Sequence, residues 1–375
     1  MKLKLFFLQL LIICLSFQLS YWGLSPSVYS ILRIINIILI LILFSLSLKD
    51  ILNIFYKSSL YNIVFYFIAL NISITLILNG LKTVEYNLVL EVVMVFIIIL
   101  ISLTFNLNER ELVNLCLLFL ILTAFSSLSI VYYYAPGFVI NEQYLPVPKN
   151  QLAPIYSISS IVGIYLFFKS NSKLKYVYML FSLILLLSIL TIRGRAVIVS
   201  YALSLILMLV FFIKSNKIRL YVSLAFILLT ILFYDKIYDS LFLNYDTTNL
   251  DSISTGRFST YEESLILITE YPFFGEIGYN KINTYTTHNY LLNVLIKYGL
   301  IGGLVLIGIY FLILRKVCIA IFRNNFKIYE IGLLPIFILF VVSFFEYSFP
   351  YSPGSSTFFA FFLFGQYLKN NDTSR

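Results

Sequence analysis

Residues 28–48 read VYSILRIINIILILILFSLSL, and this stretch decides the class of fold. Arg33 is its one charged residue, and aliphatic side chains fill most of the other positions. A run of roughly 20 apolar residues is long enough to cross the hydrocarbon core of a bilayer as a helix. Since lipid offers the backbone no hydrogen-bond partners, such a run must close its own bonds. The sequence therefore predicts a transmembrane helix here.

Apolar runs of the same kind, each bounded by polar or charged residues, continue along the whole chain. They lie at 5–20, 60–80, 85–104, 111–135, 153–168, 176–192, 196–213, 218–235, 300–314, 329–347 and 355–368. Together with 28–48 they predict an all-α, polytopic membrane protein with about 12 transmembrane helices. No internal repeat divides the chain, so residues 1–375 are interpreted as a single integral membrane domain.

The composition excludes several classes of protein. Of the 375 residues, 61% are hydrophobic and 11% are charged, whereas soluble domains have about 45–50% apolar and about 25% charged residues. The three cysteines, Cys14, Cys116 and Cys318, are scattered along the apolar chain with no pair at a useful spacing, which argues against a disulfide scaffold. With a single histidine in the chain, we expect neither a metal site nor a cofactor.

The distribution of lysine and arginine predicts how the helices are oriented. Basic residues in short loops gather on the cytoplasmic side of a membrane protein. With the N-terminus inside, the cytoplasmic segments hold most of the basic residues, and both termini are predicted to be cytoplasmic. Because topology accounts for the placement of the net charge of +9, no nucleic-acid partner is expected.

Two connections on the predicted outer side, 136–151 and 236–288, are too long to be simple turns. In the second, Ser259-Thr260-Tyr261-Glu262 matches a capping box, which predicts a short helix that runs to Glu270 and ends before Pro272. Thr287-His288-Asn289 is predicted to cap a second helix, 290–298, which Gly299 interrupts. The segment 236–288 is therefore interpreted as a partly helical, extracytoplasmic loop subdomain.

Five ionisable residues lie within or at the ends of predicted spans, all at outer-leaflet depth: Arg33, Glu91, Arg193, Arg195 and Glu346. Such residues are costly in a membrane and usually functional. Together they favour a polar cavity that opens outward. The alternative interpretation is that Arg33 pairs with Glu91 and that the boundary arginines extend to lipid headgroups.

Arg257 and His288 each precede a predicted helix N-terminus in the outer loop. Helix N-termini bind anions through their free N–H groups, and a guanidinium adds a fixed, bidentate positive charge. The pattern predicts a site that handles phosphate. An arginine that binds only loop carbonyls or headgroups, and a histidine with a purely structural role, are the alternatives.

Over residues 149–303 the sequence resembles the O-antigen polymerase and O-antigen ligase family of bacterial surface-polysaccharide enzymes. The matching stretches are Lys149-Asn150-Gln151-Leu152-Ala153, Thr191-Ile192-Arg193-Gly194-Arg195-Ala196, Thr255-Gly256-Arg257 with Tyr261, Pro272-Phe273-Phe274-Gly275, Thr287-His288-Asn289-Tyr290-Leu291 and Tyr298-Gly299-Leu300-Ile301-Gly302. The sequence departs from the family pattern at Tyr261, where an indole is common, and at 275–278, which is one residue longer. The duplicated arginine leaves open whether Arg193 or Arg195 matches the family's arginine.

The resemblance implies a metal-independent glycosyltransferase of the cytoplasmic (inner) membrane. Such enzymes transfer a sugar chain from a polyprenyl (undecaprenyl) pyrophosphate carrier to an acceptor glycan hydroxyl on the outer face, and they use no cofactor. The implied partners are the polyprenyl pyrophosphate-linked oligosaccharide, membrane lipid and a chain-length regulator protein. The product would be an O-antigen, capsular or other surface polysaccharide.

The expected site divides into catalytic and substrate-binding residues. Arg257 and one of Arg193 or Arg195 are expected to hold the pyrophosphate, and His288 is expected to accept the proton of the attacking hydroxyl. Glu346 is the next candidate for the base. The expected substrate-binding residues are Lys149, Asn150, Tyr261, Asn289, Arg33 and Glu346.

Two other functions fit parts of this pattern. A ligase that moves a finished polymer to a lipid A core would share nearly every motif with a polymerase. A polysaccharide flippase or another secondary transporter also has about twelve spans, but transporters usually have repeated halves and polar residues at the membrane midplane. The sequence shows neither feature.

Overall fold

The computed structural model describes residues 2–57, 87–135, 149–213, 216–232, 256–275, 287–323, 327–351 and 354–372, together with Tyr234, Asp235, Tyr238 and Asp251. Every regular element in these ranges is helical, in agreement with the predicted all-α class. The predicted helix at 60–80 and most of the predicted loop subdomain at 236–288 lie outside the described residues.

The described helices follow the apolar runs, with different bounds. They are α1 (Lys2–Phe17), α2 (Pro26–Lys57), α3 (Asn87–Thr104), α4 (Glu109–Tyr134), α5 (Lys149–Lys169), α6 (Lys175–Ile192), α7 (Arg195–Leu207, extended by a π-helical turn, Met208–Phe212), α8 (Asn216–Leu232), α9 (Arg257–Glu270), α10 (Tyr290–Phe322), a 3₁₀ turn (Ile328–Gly332), α11 (Leu333–Val342) and α12 (Ser355–Asp372).

Six helices in the described part of the chain are long and apolar enough to cross a membrane. They lie at Pro26–Ile54, Glu109–Tyr134, Lys149–Lys169, Lys175–Ile192, Arg195–Phe212 and Tyr290–Phe322. Two further apolar helices, Leu90–Thr104 and Ile328–Val342, are shorter. The predicted number of about 12 spans is therefore not confirmed, partly because several apolar runs form helices that end before they reach spanning length.

Helix α5 lies at the centre of the bundle. It is buried along most of its length, from Leu152 to Leu166, and packs against α4, α6, α7 and α11. Hydroxyl groups join it to its neighbours: Ser160 Oγ lies 2.7 Å from Tyr201 Oη and donates to the Ser182 carbonyl at 2.9 Å. Such interhelical hydrogen bonds fix helix positions where packing of apolar side chains alone is unselective.

Helix α2 presents an apolar surface to the outside of the bundle. Ile34, Ile38 and Leu41 are about half exposed along its length, at 58%, 49% and 57%. A soluble protein seldom exposes an apolar patch of this kind, but a lipid-facing helix does. The apolar helices together describe a membrane-embedded protein.

Helix α9 begins at Arg257, which corrects the predicted capping box. Gly256 is the N-cap residue, with a left-handed backbone (φ 75°), so Ser259 falls in the first turn instead of preceding the helix. The Ser259 backbone N–H donates to the Asp251 carboxylate at 3.0 Å. The helix therefore starts earlier than predicted because a carboxylate from outside the motif satisfies its first turn. Its predicted end at Glu270 is confirmed.

The predicted break at Gly299 is confirmed inside α10, where this residue has φ 62° and ψ −168°. The segment that follows the break begins with N–H groups that lack helical partners. The Leu300 N–H donates to the Pro272 carbonyl at 2.8 Å, and the Ile301 N–H donates to the Phe273 carbonyl at 2.9 Å. The segment after α9 thus caps the long part of α10 and holds the short part, residues 290–298, at an angle to it.

Candidate functional site

Glu346 is the centre of a polar cluster at one end of the bundle. It lies in the turn that follows α11, which ends at Val342, whereas the sequence predicted that it lies near the outer end of the span 329–347. Its Oε1 atom accepts hydrogen bonds from Asn150 Nδ2 at 2.6 Å and from Arg257 Nη2 at 2.8 Å. The carboxylate is 9% exposed, and the hydrogen bonds from these two donors offset much of the free-energy cost of burying its charge.

Arg257 reaches this carboxylate from the first residue of α9. Its side chain is 16% exposed, and the guanidinium carbon lies 5.8 Å from the centre of the Phe345 ring. The ring covers one face of the guanidinium, and such cation–π packing restricts how its plane turns. A planar cation fixed in a pocket that excludes most water is suited to bind an oxyanion.

His288 faces the second oxygen of the same carboxylate. Its Nδ1 lies 3.8 Å from Glu346 Oε2, which is longer than a hydrogen bond. Thr287 holds the residue in place, because its Oγ1 accepts from the Asn289 N–H at 3.2 Å and donates to the Asn289 carbonyl at 2.7 Å. Asn289 then caps α10 by accepting from the Leu292 N–H at 3.1 Å, as the sequence predicted.

Tyr261 links α9 to the two segments that carry His288 and Glu346. It follows Arg257 by one helical turn, so both side chains leave the same face of α9. Its hydroxyl lies 2.8 Å from the Phe344 carbonyl and 3.3 Å from the His288 carbonyl, and Asn289 Nδ2 donates to the same Phe344 carbonyl at 3.2 Å. Burial raises the pKa of Tyr261 above its ordinary value, so the hydroxyl stays a donor at neutral pH.

We expect Tyr261→Phe to lower the thermal stability of the purified protein by about 1–2 kcal/mol, because the Phe344 carbonyl loses a donor. Tyr221, which is 68% exposed on α8, gives a matched control, and Tyr221→Phe should leave the melting temperature unchanged. Thermal melts of both variants in detergent test this. Equal melting temperatures for the two variants would mean that the Tyr261 hydroxyl holds nothing in place.

The turn between α6 and α7 lies beside the end of α5 that carries Asn150. Arg193 has a left-handed backbone (φ 59°, ψ 37°) and ends α6, and Arg195 begins α7. A side-chain Cβ atom at Gly194 would lie 2.8 Å from the Ala153 Cβ, so this glycine lets the turn approach α5 one helical turn from Asn150. The choice between Arg193 and Arg195 stays open.

Protein acceptors occupy some of the N–H groups at the two helix N-termini where the sequence predicted anion binding. At α10, the Tyr290 N–H donates to the Ser343 carbonyl at 3.0 Å and the Leu292 N–H donates to the Asn289 side chain. At α9, the Ser259 N–H donates to the Asp251 carboxylate. These three N–H groups already have protein acceptors, whereas the side chain of Arg257 brings a full positive charge to the site.

Arg33 does not join this cluster. Its side chain is exposed on α2, and within the described residues no ion pair links it to Glu91. Glu91 on α3 interacts electrostatically with Lys297 instead, so the pairing of Arg33 with Glu91 is wrong. The reason is geometric, since α2 packs against α1 and α3 and leaves Arg33 on the outer surface.

The remaining predicted residues lie at or near the cluster. Lys149 is the first residue of α5 and is half-buried beside Asn150. The sequence did not single out the Phe344 carbonyl or the Phe345 ring, because a backbone acceptor and one phenylalanine among 36 carry no local signal. It also did not show that Asn150, Arg257 and His288 share one carboxylate.

Within the ranges that the structure describes, no three histidine, cysteine, aspartate or glutamate side chains lie close enough to hold a metal ion together. Comparison of the sequence with protein-family models and with curated proteins found no match to either.

Proposed function

We propose that the protein is a polysaccharide polymerase of the cytoplasmic membrane, with a donor glycan carried on polyprenyl pyrophosphate. The observation that supports this is the meeting of Asn150, Arg257 and His288 at the buried carboxylate of Glu346. These residues come from separate stretches of the chain, and the same stretches carry the resemblance to O-antigen polymerases and ligases. They meet at one end of an apolar helical bundle, where a lipid-borne substrate would arrive from the membrane.

Arg257 supplies the charge that a diphosphate leaving group requires. Negative charge develops on the departing phosphate as the glycosidic bond breaks, and a cation held in a water-poor pocket stabilises this charge far better than solvent does. The low exposure of Arg257 meets this condition. In the proposal, Arg193 or Arg195 adds a second cation from the turn that packs on α5.

His288 accepts the proton in this reaction. The acceptor hydroxyl oxygen forms a bond to the anomeric carbon, the bond from that carbon to the phosphate oxygen breaks, and the pyrophosphate leaves with the electron pair. The hydroxyl proton passes to the imidazole, the side chain that most often serves as a general base. The side chain of His288 is 43% exposed, which leaves one edge accessible to an acceptor hydroxyl.

The proposed orientation has both termini in the cytoplasm and the Glu346 cluster on the outer face. Glycan on a polyprenyl carrier is presented there after translocation. Lys149, Asn150, Tyr261 and Asn289 lie around the cluster and are the proposed contacts to saccharide or phosphate. Glu346 holds Asn150 in place by accepting its hydrogen bond. The proposal assigns no metal and no cofactor to the reaction.

Deletion of the gene, followed by electrophoresis of surface glycans, tests the proposal. We expect the deletion strain to carry single repeat units where the parent strain carries polymer, and re-expression of the gene to restore the polymer. Accumulation of carrier-bound polymer would instead indicate a ligase. Unchanged glycans would reject both activities, and untransferred units on the inner face would indicate a flippase.

A further inference from the structure

The two oxygens of the Glu346 carboxylate have different partners. Oε1 accepts from Asn150 and Arg257, two groups that can only donate through these atoms. Oε2 faces Nδ1 of His288. The carboxylate therefore meets a fixed pair of donors on one side and a titratable ring on the other.

The ring of His288 is turned so that its two nitrogens have different surroundings. Nδ1 is buried, and no hydrogen-bond partner for it exists among the described residues. The side chain as a whole is nevertheless 43% exposed, so the exposed area belongs to the rest of the side chain. Nε2 lies on the opposite edge of the imidazole from Nδ1 and is thus the nitrogen available to a substrate.

We infer that Glu346 is a positioning residue that keeps the proton of neutral His288 on Nδ1 and so leaves Nε2 unprotonated. An ionised carboxylate only accepts hydrogen bonds, so the tautomer that carries its proton on Nδ1 is favoured next to Oε2. The separation of 3.8 Å shortens to a hydrogen bond with a small rotation of either side chain, as catalytic contacts commonly do when substrate binds. The catalytic use of Nε2 rests on the proposed function, but the tautomer itself does not.

Glu346→Gln gives an isosteric test of this inference. Asn150 and Arg257 both donate to the position of Oε1, so the glutamine carbonyl oxygen stays there and its amide nitrogen takes the place of Oε2. An amide N–H then faces Nδ1 of His288, which must act as an acceptor. The proton consequently moves to Nε2, and the imidazole loses the lone pair that faces the substrate.

Because the chain has a single histidine, nitrogen-15 labelling of histidine reports on His288 alone. We expect NMR of the labelled protein in nanodiscs, at a pH where the ring is neutral, to show a proton on Nδ1 in the wild type and on Nε2 in Glu346→Gln. Glu330→Gln is the matched control. Glu330 is also buried and binds the Lys327 N–H at the far end of α10, so this variant should retain the wild-type tautomer.

Either of two results would overturn the inference: a wild-type proton on Nε2, or a Glu346→Gln variant that has the same tautomer as the wild type. Size-exclusion profiles of the same samples establish that the variants are folded. If Glu346→Gln does not fold, Glu346→Asp replaces it in the test; this variant retains the carboxylate and should keep the wild-type tautomer. If NMR shows the predicted tautomers but the deletion strain has unchanged glycans, only the proposed function is refuted. If the gene proves necessary for glycan polymerisation but Glu346→Gln has the wild-type tautomer, only the positioning role of Glu346 is refuted.

Discussion

Replacement of Arg257 by lysine is expected to lower glycan transfer by roughly 100- to 1,000-fold, the range found when a fixed donor to a developing anion is removed. Lysine keeps the positive charge, so the buried carboxylate of Glu346 still has a counter-ion. It lacks the planar guanidinium that donates to Glu346 and packs on Phe345, and it cannot offer a diphosphate the bidentate geometry of arginine. The variant therefore separates geometry from charge.

Lysine is more informative than alanine at this position, because removal of one partner from a buried ion pair costs about 3–5 kcal/mol and risks unfolding. Transfer is measured in membranes with a polyprenyl pyrophosphate-linked donor, at equal protein amounts on an immunoblot. Arg323→Lys is the control, since Arg323 is exposed at the opposite end of α10. Full transfer activity in the Arg257→Lys variant would rule out the proposed binding of pyrophosphate by the Arg257 guanidinium.

Gly299→Ala is expected to destabilise the protein strongly and to inactivate it. The backbone at Gly299 (φ 62°, ψ −168°) lies in a region that is essentially limited to glycine, and another residue there costs about 1–3 kcal/mol. An added Cβ atom would also lie 2.4 Å from the Phe273 carbonyl carbon and 2.5 Å from the Gly275 nitrogen. Both neighbours are backbone atoms, so the segment after α9 must move.

The proposed activity depends on this contact because His288 and Asn289 directly precede the short part of α10. Gly308→Ala provides the control within the same helix, where an added Cβ has no heavy atom within 4 Å. Alanine exceeds glycine in helix propensity by about 1 kcal/mol, so the two substitutions should change the melting temperature in opposite directions. Similar melting temperatures for both variants would show that the segment 272–275 does not hold α10 in place.

The helical part of the fold was predictable because an apolar run in lipid has few conformations available. Its backbone must be hydrogen-bonded internally, so α2, α4 and α6 could be predicted from hydrophobicity and length alone. The break at Gly299 and the cap at Asn289 were also predictable, since both depend on local backbone chemistry. The number of spans was not, because an apolar composition does not show whether a helix reaches across the bilayer or ends in a turn, as α11 does at Val342.

The candidate site was predictable as a set of residues but not as an arrangement. Arg257, His288, Asn150 and Glu346 each stand out as polar groups near apolar runs. Arg33 stands out equally, yet it lies on the outer surface of α2. Depth along a helix can be counted from the sequence, whereas the direction in which a side chain faces depends on which neighbours the helix packs against.

The amino-acid sequence by itself determined that this chain forms apolar helices and where polar groups interrupt them, because hydrogen bonding within a helix and transfer from water to lipid depend on each segment alone. Only the tertiary structure decided that Asn150, Arg257 and His288 meet at Glu346. These residues are far apart in the chain, and the packing of α5, α9, α10 and α11 brings them together around a carboxylate that needs donors once it is buried.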